Sequence, residues 1–238
     1  MLKLVTGAGL AVVVALMIAG CSKSNSTGPG GNAPQLVSPT FTGPTSTSAT
    51  TDTSAGYIYA DTYASIFGLY DAGFTAFFVG TGTQSGNTWS WTYTDPESQV
   101  TGKWSATSSS SGYNWSLVYS GGPYTGNFTA LSGSESTDGK TGDWSIFWDN
   151  TTHKEFEVSW TTDGSSNLTG TITTYDSSGV TALQKDVVTN NKDKSGELKE
   201  WAGTQLTWDI IWNADGSGHY TEWDDQGNIV ATGSWLKS

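Results

Sequence analysis

His153 and His219 are the chain's only imidazoles, and neither stands in a pattern that builds a nucleophile. Acyl transfer needs a Ser or Cys within hydrogen-bond reach of a base, and no Gly-x-Ser-x-Gly elbow occurs. Each His lies beside a turn or strand end and reads as a solvated turn residue. Two His without Cys also fall short of a zinc site unless carboxylates complete it. Asn213-x-Asp215-x-Ser217 and Asp224-Asp225-x-x-Asn228 are oxygen-rich, which raises calcium. Neither has the closing Glu of the twelve-residue calcium loop, and hairpin turns call for the same residue types. Glu155 and Glu157 share one face of a strand, but a glycosidase needs its carboxylates to face one another across a cleft. This pair lies opposite Phe156, Val158 and Trp160, on the solvent side. Phosphate loops and dinucleotide fingerprints are absent. The expectation is a non-enzymatic chain with no catalytic residue, no metal ligand and no cofactor.

Composition narrows the partners. Of 238 residues, 13% are charged and 13% aromatic, with 12 Trp and a net charge of -12. All ten basic residues are Lys. An acidic chain without a single guanidinium fork is not a nucleic-acid reader. So many aromatics also exclude a chain disordered throughout.

The only cysteine, Cys21, stands at the end of a distinctive segment. Lys3 gives a basic start, and Leu10 to Ala19 is an unbroken apolar run, too short to span a bilayer. Ile18-Ala19-Gly20-Cys21 follows at once. This junction resembles the lipobox of bacterial lipoproteins. The resemblance implies cleavage between Gly20 and Cys21, and a diacylglycerol thioether with further fatty acylation such as palmitate on Cys21. It also implies attachment to the membrane through the lipidated N-terminus. Ser22, in place of Asp, points to the outer membrane, on its periplasmic or its cell-surface face. Removal of Lys3 leaves 9 Lys against 22 acids, a mature net charge of -13.

Three regions follow: a signal peptide over 1–20, a tether over 21–56 and one domain over 57–238. Four of the six prolines, Pro29, Pro34, Pro39 and Pro44, fall in the tether among Ser, Thr, Gly and Asn. Such a segment buries too little apolar surface to offset its ordering entropy and should be a flexible, solvated linker. Leu36, Val37 and Phe41 are the exceptions, and Leu36 to Phe41 could pair along a sheet edge.

Tyr57 to Val79 carries Tyr59, Tyr63, Ile66, Phe67, Tyr70, Phe74, Phe77 and Phe78 at three- and four-residue steps. That spacing predicts an amphipathic helix, with Ala60 and Asp61 on its polar side. After Gly80 the period becomes two. Trp89-Trp91-Tyr93, Trp104-Ala106, Trp115-Leu117-Tyr119, Trp144-Ile146-Trp148, Phe156-Val158-Trp160, Leu168-Gly170-Ile172, Trp208-Ile210-Trp212 and Ala231-Gly233-Trp235 alternate with mostly polar residues. Turn clusters such as Asp138-Gly139, Asp163-Gly164 and Asp215-Gly216 separate them. The fold class is mainly β: an antiparallel meander of about a dozen strands, forming a curved sheet or large barrel. The N-terminal amphipathic helix packs in or against it. Apolar faces turned outward into lipid are the alternative, but Ser and Thr would then fill the interior.

Thr-Gly-x-Trp occurs three times, ending at Trp104, Trp144 and Trp235. Tyr220 to Trp235 is similar to single MORN-like hairpin repeats of bacterial surface proteins. Gly-x-Trp also resembles the first-strand motif of lipocalins, although here the helix precedes the strands and the Arg that packs on the lipocalin Trp is missing. Two functions follow as expectations. One is a lipid-anchored envelope protein with a non-catalytic structural or binding domain, its partner another envelope protein. The other is a carrier for a small apolar ligand or a carbohydrate-binding module, with Trp201 and Trp223, whose faces the alternation leaves open, as the stacking candidates.

Overall fold

A computed structural model describes residues 33–34, 36, 39–44, 55–63, 82–148 and 153–236. One helix, α1, covers 55–63. Thirteen strands follow: β1 (Thr83–Ser85), β2 (Thr88–Thr94), β3 (Val100–Ser108), β4 (Gly112–Gly121), β5 (Tyr124–Ser136), β6 (Thr141–Phe147) and β7 (Lys154–Thr162). The rest are β8 (Leu168–Tyr175), β9 (Ala182–Asn190), β10 (Gly196–Ala202), β11 (Gln205–Trp212), β12 (Gly218–Trp223) and β13 (Ile229–Trp235). They form one sheet in sequence order, as short Asp- and Gly-rich turns dictate.

The barrel expectation fails. The order runs from β1 to β13 without closure, and β1 has only three residues, all exposed, too few to zip onto the seven of β13. The helix expectation needs correction as well. α1 is not N-terminal, since it starts at residue 55, and it buries Ala60, which the spacing assigned to the polar side. Positions 64–79 of the expected helix lie outside the described residues.

Alternation sorts the side chains as the sequence suggests. One face carries Trp91, Trp104, Trp115, Trp144, Trp160, Trp212 and Trp235, all buried; the other carries hydroxyl rows such as Ser105-Ser116-Ser132-Ser145 and Thr161-Thr169-Thr189. Trp148, grouped with Trp144 and Ile146 by alternation, is 50% exposed. The register slips between Ile146 and Phe147 and β6 ends there, so Trp148 leaves the apolar face.

Glycines make room for the indoles. Trp144 lies over Gly133, Trp160 over Gly142, Trp212 over Gly196 and Trp235 over Gly218, each directly across the ladder on the preceding strand. A Cβ at any of these glycines would overlap the ring. Each indole thus covers the strand before its own. The Gly of every Thr-Gly-x-Trp unit also lies beneath an aromatic ring: Gly102 under Tyr119, Gly142 under Trp160 and Gly233 under Tyr220, with an added Cβ overlapping the ring at the last two.

Part of the cover of the apolar face comes from before the sheet. Tyr57 meets Trp235 edge-on at 6.0 Å, and Tyr59 stacks on Trp208 at 4.8 Å. Within the segment read as a solvated tether, Phe41 and Pro44 are buried. Asn190 clamps Thr42 there, accepting from its N–H and donating to its carbonyl, both at 2.8 Å. Phe41 is one of the segment's few large apolar residues, and its burial belongs to the core.

Candidate functional site

A single cross-strand row shows where the apolar face changes character. From β4 it runs Trp115, Gly133, Trp144, Val158, Ile172, then Asp186, Glu200, Trp208 and Glu222. The first half is a packed indole core: Trp104 and Trp144 stand edge to face at 6.3 Å, and Trp104 and Trp115 at 6.4 Å. The second half places three carboxyl groups on the same face. Asp186 and Glu200 are direct cross-strand partners, and Asp186 is only 2% exposed.

Helix α1 closes over this pair. Tyr59 and Tyr63, one helical turn apart, both donate to Glu200 Oε2, Tyr63 at 3.2 Å. Thr207 Oγ1 donates to Glu200 Oε1 at 2.9 Å. The Gln184 amide nitrogen lies 2.9 Å from Glu200 Oε2, 3.1 Å from both Asp186 oxygens and 2.6 Å from the Tyr63 hydroxyl. Lys185 and Lys199 flank the pair in sequence but stand on the opposite face of the sheet, where alternation puts them. Lys185 lies over the Trp201 ring and Lys199 pairs with Glu197 at 2.6 Å.

Burial, with no facing cation among the described residues, decides the ionisation of Asp186. Asp186 is pushed up to about 8, first by burial and then by the Glu200 charge. Burial likewise raises Glu222, with Glu200 adding to it, and drives both tyrosine hydroxyls well above their ordinary range. At neutral pH Asp186 therefore keeps its proton. Such a pair resembles a general acid in ionisation, but its oxygens are engaged by Tyr59, Tyr63, Gln184 and Thr207 and lie under α1.

The residues singled out by sequence are dispersed. Gly20 and Cys21 lie outside the described residues. Trp201, on β10, and Trp223, on β12, are both half-buried and separated by β11. Each follows a Glu at a register slip, Glu200/Trp201 and Glu222/Trp223. They occupy matching places in two related hairpins, Asn191–Trp201 and Asn213–Trp223, which share Asn, Asp, Ser, Gly, Glu and Trp at the same steps. Glu155 and Glu157 lie on the hydroxyl face as expected, Glu157 bound by Lys154, Tyr175 and Ser145.

The two oxygen-rich stretches are turns at opposite ends of the sheet. Asp215 Oδ1 accepts from the Ser217 N–H at 3.0 Å and its hydroxyl at 2.7 Å; Asp224 Oδ1 accepts from the Gln226 and Asn228 N–H groups. Their oxygens close their own backbones. Among the described residues no three His, Cys, Asp or Glu side chains group to hold a metal ion, and no helix is long and apolar enough to cross a membrane.

The carboxyl cluster is what sequence reasoning missed. Its signal was Asp186 and Glu200 at positions in phase with Val188 and Leu198, that is, acids on an inward register. No protein-family model matches the chain, and no curated protein matches it.

Proposed function

We propose that this is a lipid-anchored cell-envelope protein, held through Cys21 to the outer membrane, whose β domain is structural or binds another envelope protein and does no chemistry. The observation that carries the non-catalytic reading is the packed apolar face: Trp104, Trp115 and Trp144 are each 2% exposed and in contact with one another. A carrier would line a hollow with those rings, and a sugar-binding module would present several in a row to solvent. Trp201 and Trp223, on non-adjacent strands, make no such row. The anchor is supported by the Lys3, Leu10–Ala19 and Ile18-Ala19-Gly20-Cys21 succession.

The test is metabolic labelling with a radioactive fatty acid. The wild-type chain incorporates label and fractionates with membranes; Cys21→Ser does neither and accumulates as the unprocessed precursor. Equal labelling of the two forms would sink the anchor. A cleaved chain without label would mean an ordinary secretory signal.

A further inference from the structure

We propose that helix α1 is a proton-controlled latch: a proton on Asp186, directly across the ladder from Glu200, holds it on the sheet, and loss of that proton releases it and uncovers Trp208, Tyr220 and Trp235. This goes beyond the reading of the domain as a packed envelope module, and it does not depend on the anchor.

The argument starts from position. Two carboxyl groups directly opposite on one face have Cβ atoms about 4.5–5.5 Å apart, and like charges there are destabilising. Among the described residues, the groups that face them are the following. Strand β8 offers Ile172 and Thr174, β9 Gln184, and β11 Trp208 and Thr207. Beyond Trp208, β12 offers Glu222, and α1 offers Tyr59 and Tyr63. None is a cation. With one proton the arrangement is consistent, since Asp186 donates to Glu200, and Glu200 accepts from both tyrosines, Gln184 and Thr207. With none, two adjacent anions remain under the helix, and neutral donors cannot offset the second desolvated charge.

Water is the remaining source of relief, and α1 stands in its way. Its described stretch, 55–63, is nine residues, a length that is marginal in isolation. It is held by its tyrosines and by the Tyr57–Trp235 and Tyr59–Trp208 ring contacts. As the helix lifts, the Asp186 carboxyl O–H bond breaks and its proton passes to water or hydroxide; no other covalent bond changes. What is uncovered is aromatic surface.

The experiment is hydrogen exchange of the amides of 55–63 in the full chain, corrected for the intrinsic chemical rate, from about pH 6 to about pH 9. Wild-type protection of these amides should fall by about tenfold or more over that range while the β3–β7 core stays protected. Asp186→Asn, which keeps the side-chain volume and can still donate to Glu200, should hold protection level across the range. Glu200→Gln should do the same, and serves should Asp186→Asn fold poorly. Tyr59→Phe should lower protection and leave its pH dependence in place. Level protection in the wild type, or an equal fall in both carboxamide variants, would overturn the latch.

Discussion

The indole of Trp235 lies against the backbone of Gly218 on the neighbouring strand, and its Nε1 donates to the carbonyl of Gly216 at 2.7 Å. Trp160 repeats the arrangement three hairpins earlier, over Gly142, with Nε1 donating to Gly139 at 3.0 Å. In both cases one ring covers a strand and satisfies a carbonyl of the turn leading into it. Gly218→Ala would drive a methyl into that ring and towards the Ile211 carbonyl. The expected loss is about 1–3 kcal/mol by urea unfolding, the ordinary cost of overpacking a filled site. Gly164→Ala, where an added Cβ meets nothing within 4 Å, is the matched control and should change little.

The paired hairpins yield a stabilising change. Gly216, with φ of 88°, and Lys194, with φ of 76°, hold the same place in their turns, whose first residue bonds the fifth: Asn213 N–H to Ser217 and Asn191 N–H to Ser195, each at 2.8 Å. A left-handed Lys bears a steric cost that glycine escapes. Lys194→Gly should therefore raise stability by up to about 1 kcal/mol, after its larger unfolded-state entropy is subtracted. A thermal midpoint unchanged or lowered would count against it.

How far these features could be read beforehand follows the chemistry of the inward positions. Strands whose inward residues are Trp, Ile, Leu or Gly, such as Trp144-Ile146 and Phe156-Val158-Trp160, announce themselves by alternation. Strands β9 and β10 do not. Their inward set includes Gln184, Asp186 and Glu200, which break the apolar period where the sheet carries its buried acids. The carboxyl cluster was hidden for that reason, since a polar residue on an inward register looks like loss of the pattern. Trp148 was misplaced by a register slip that no local sequence rule marks. Phe41 docks by long-range packing and by the clamp that Asn190 places on its neighbour Thr42, 148 residues away, which composition cannot register.

That clamp can be tested directly. Asn190→Ala removes both hydrogen bonds to Thr42, with an expected cost of about 1–3 kcal/mol for two bonds at a buried side chain. Limited proteolysis should then cut within 36–44 faster than in the wild type, while the sheet remains whole. Equal cutting rates would mean that Phe41 and Pro44 alone secure the segment.

The indole core should respond as a core. Trp144→Ala deletes a ring packed on Trp104, Trp115 and Gly133, and a loss of about 3–5 kcal/mol is expected. Emission should be blue and resistant to acrylamide for most of the twelve indoles, with a red, quenchable part removed by Trp148→Phe. Were Trp144→Ala to leave stability nearly unchanged, the face would be a loosely filled cavity and the carrier reading would gain.

The last prediction concerns global stability against pH, and its sign follows from Asp186. Its folded-state value of about 8 stands above the ordinary value near 4, so between these limits the folded chain binds more protons than the unfolded one. Stability from this group is then fully present below the ordinary carboxylate range and is lost as pH rises through about 8. The turn carboxylates act in the opposite sense. Asp163, Asp176, Asp193 and Asp224 are lowered, chiefly by hydrogen bonds from their own turns, so they favour the fold above their ordinary range and lose that effect as acid protonates them. The acid limb of the profile thus belongs to exposed turns, and the alkaline limb to a buried pair beneath α1. Urea midpoints from about pH 5 to about pH 9 should decline toward the alkaline end in the wild type. In Asp186→Asn that decline should flatten, leaving the variant the more stable form above about pH 8. Parallel alkaline limbs would show that Asp186 is already ionised in the folded chain.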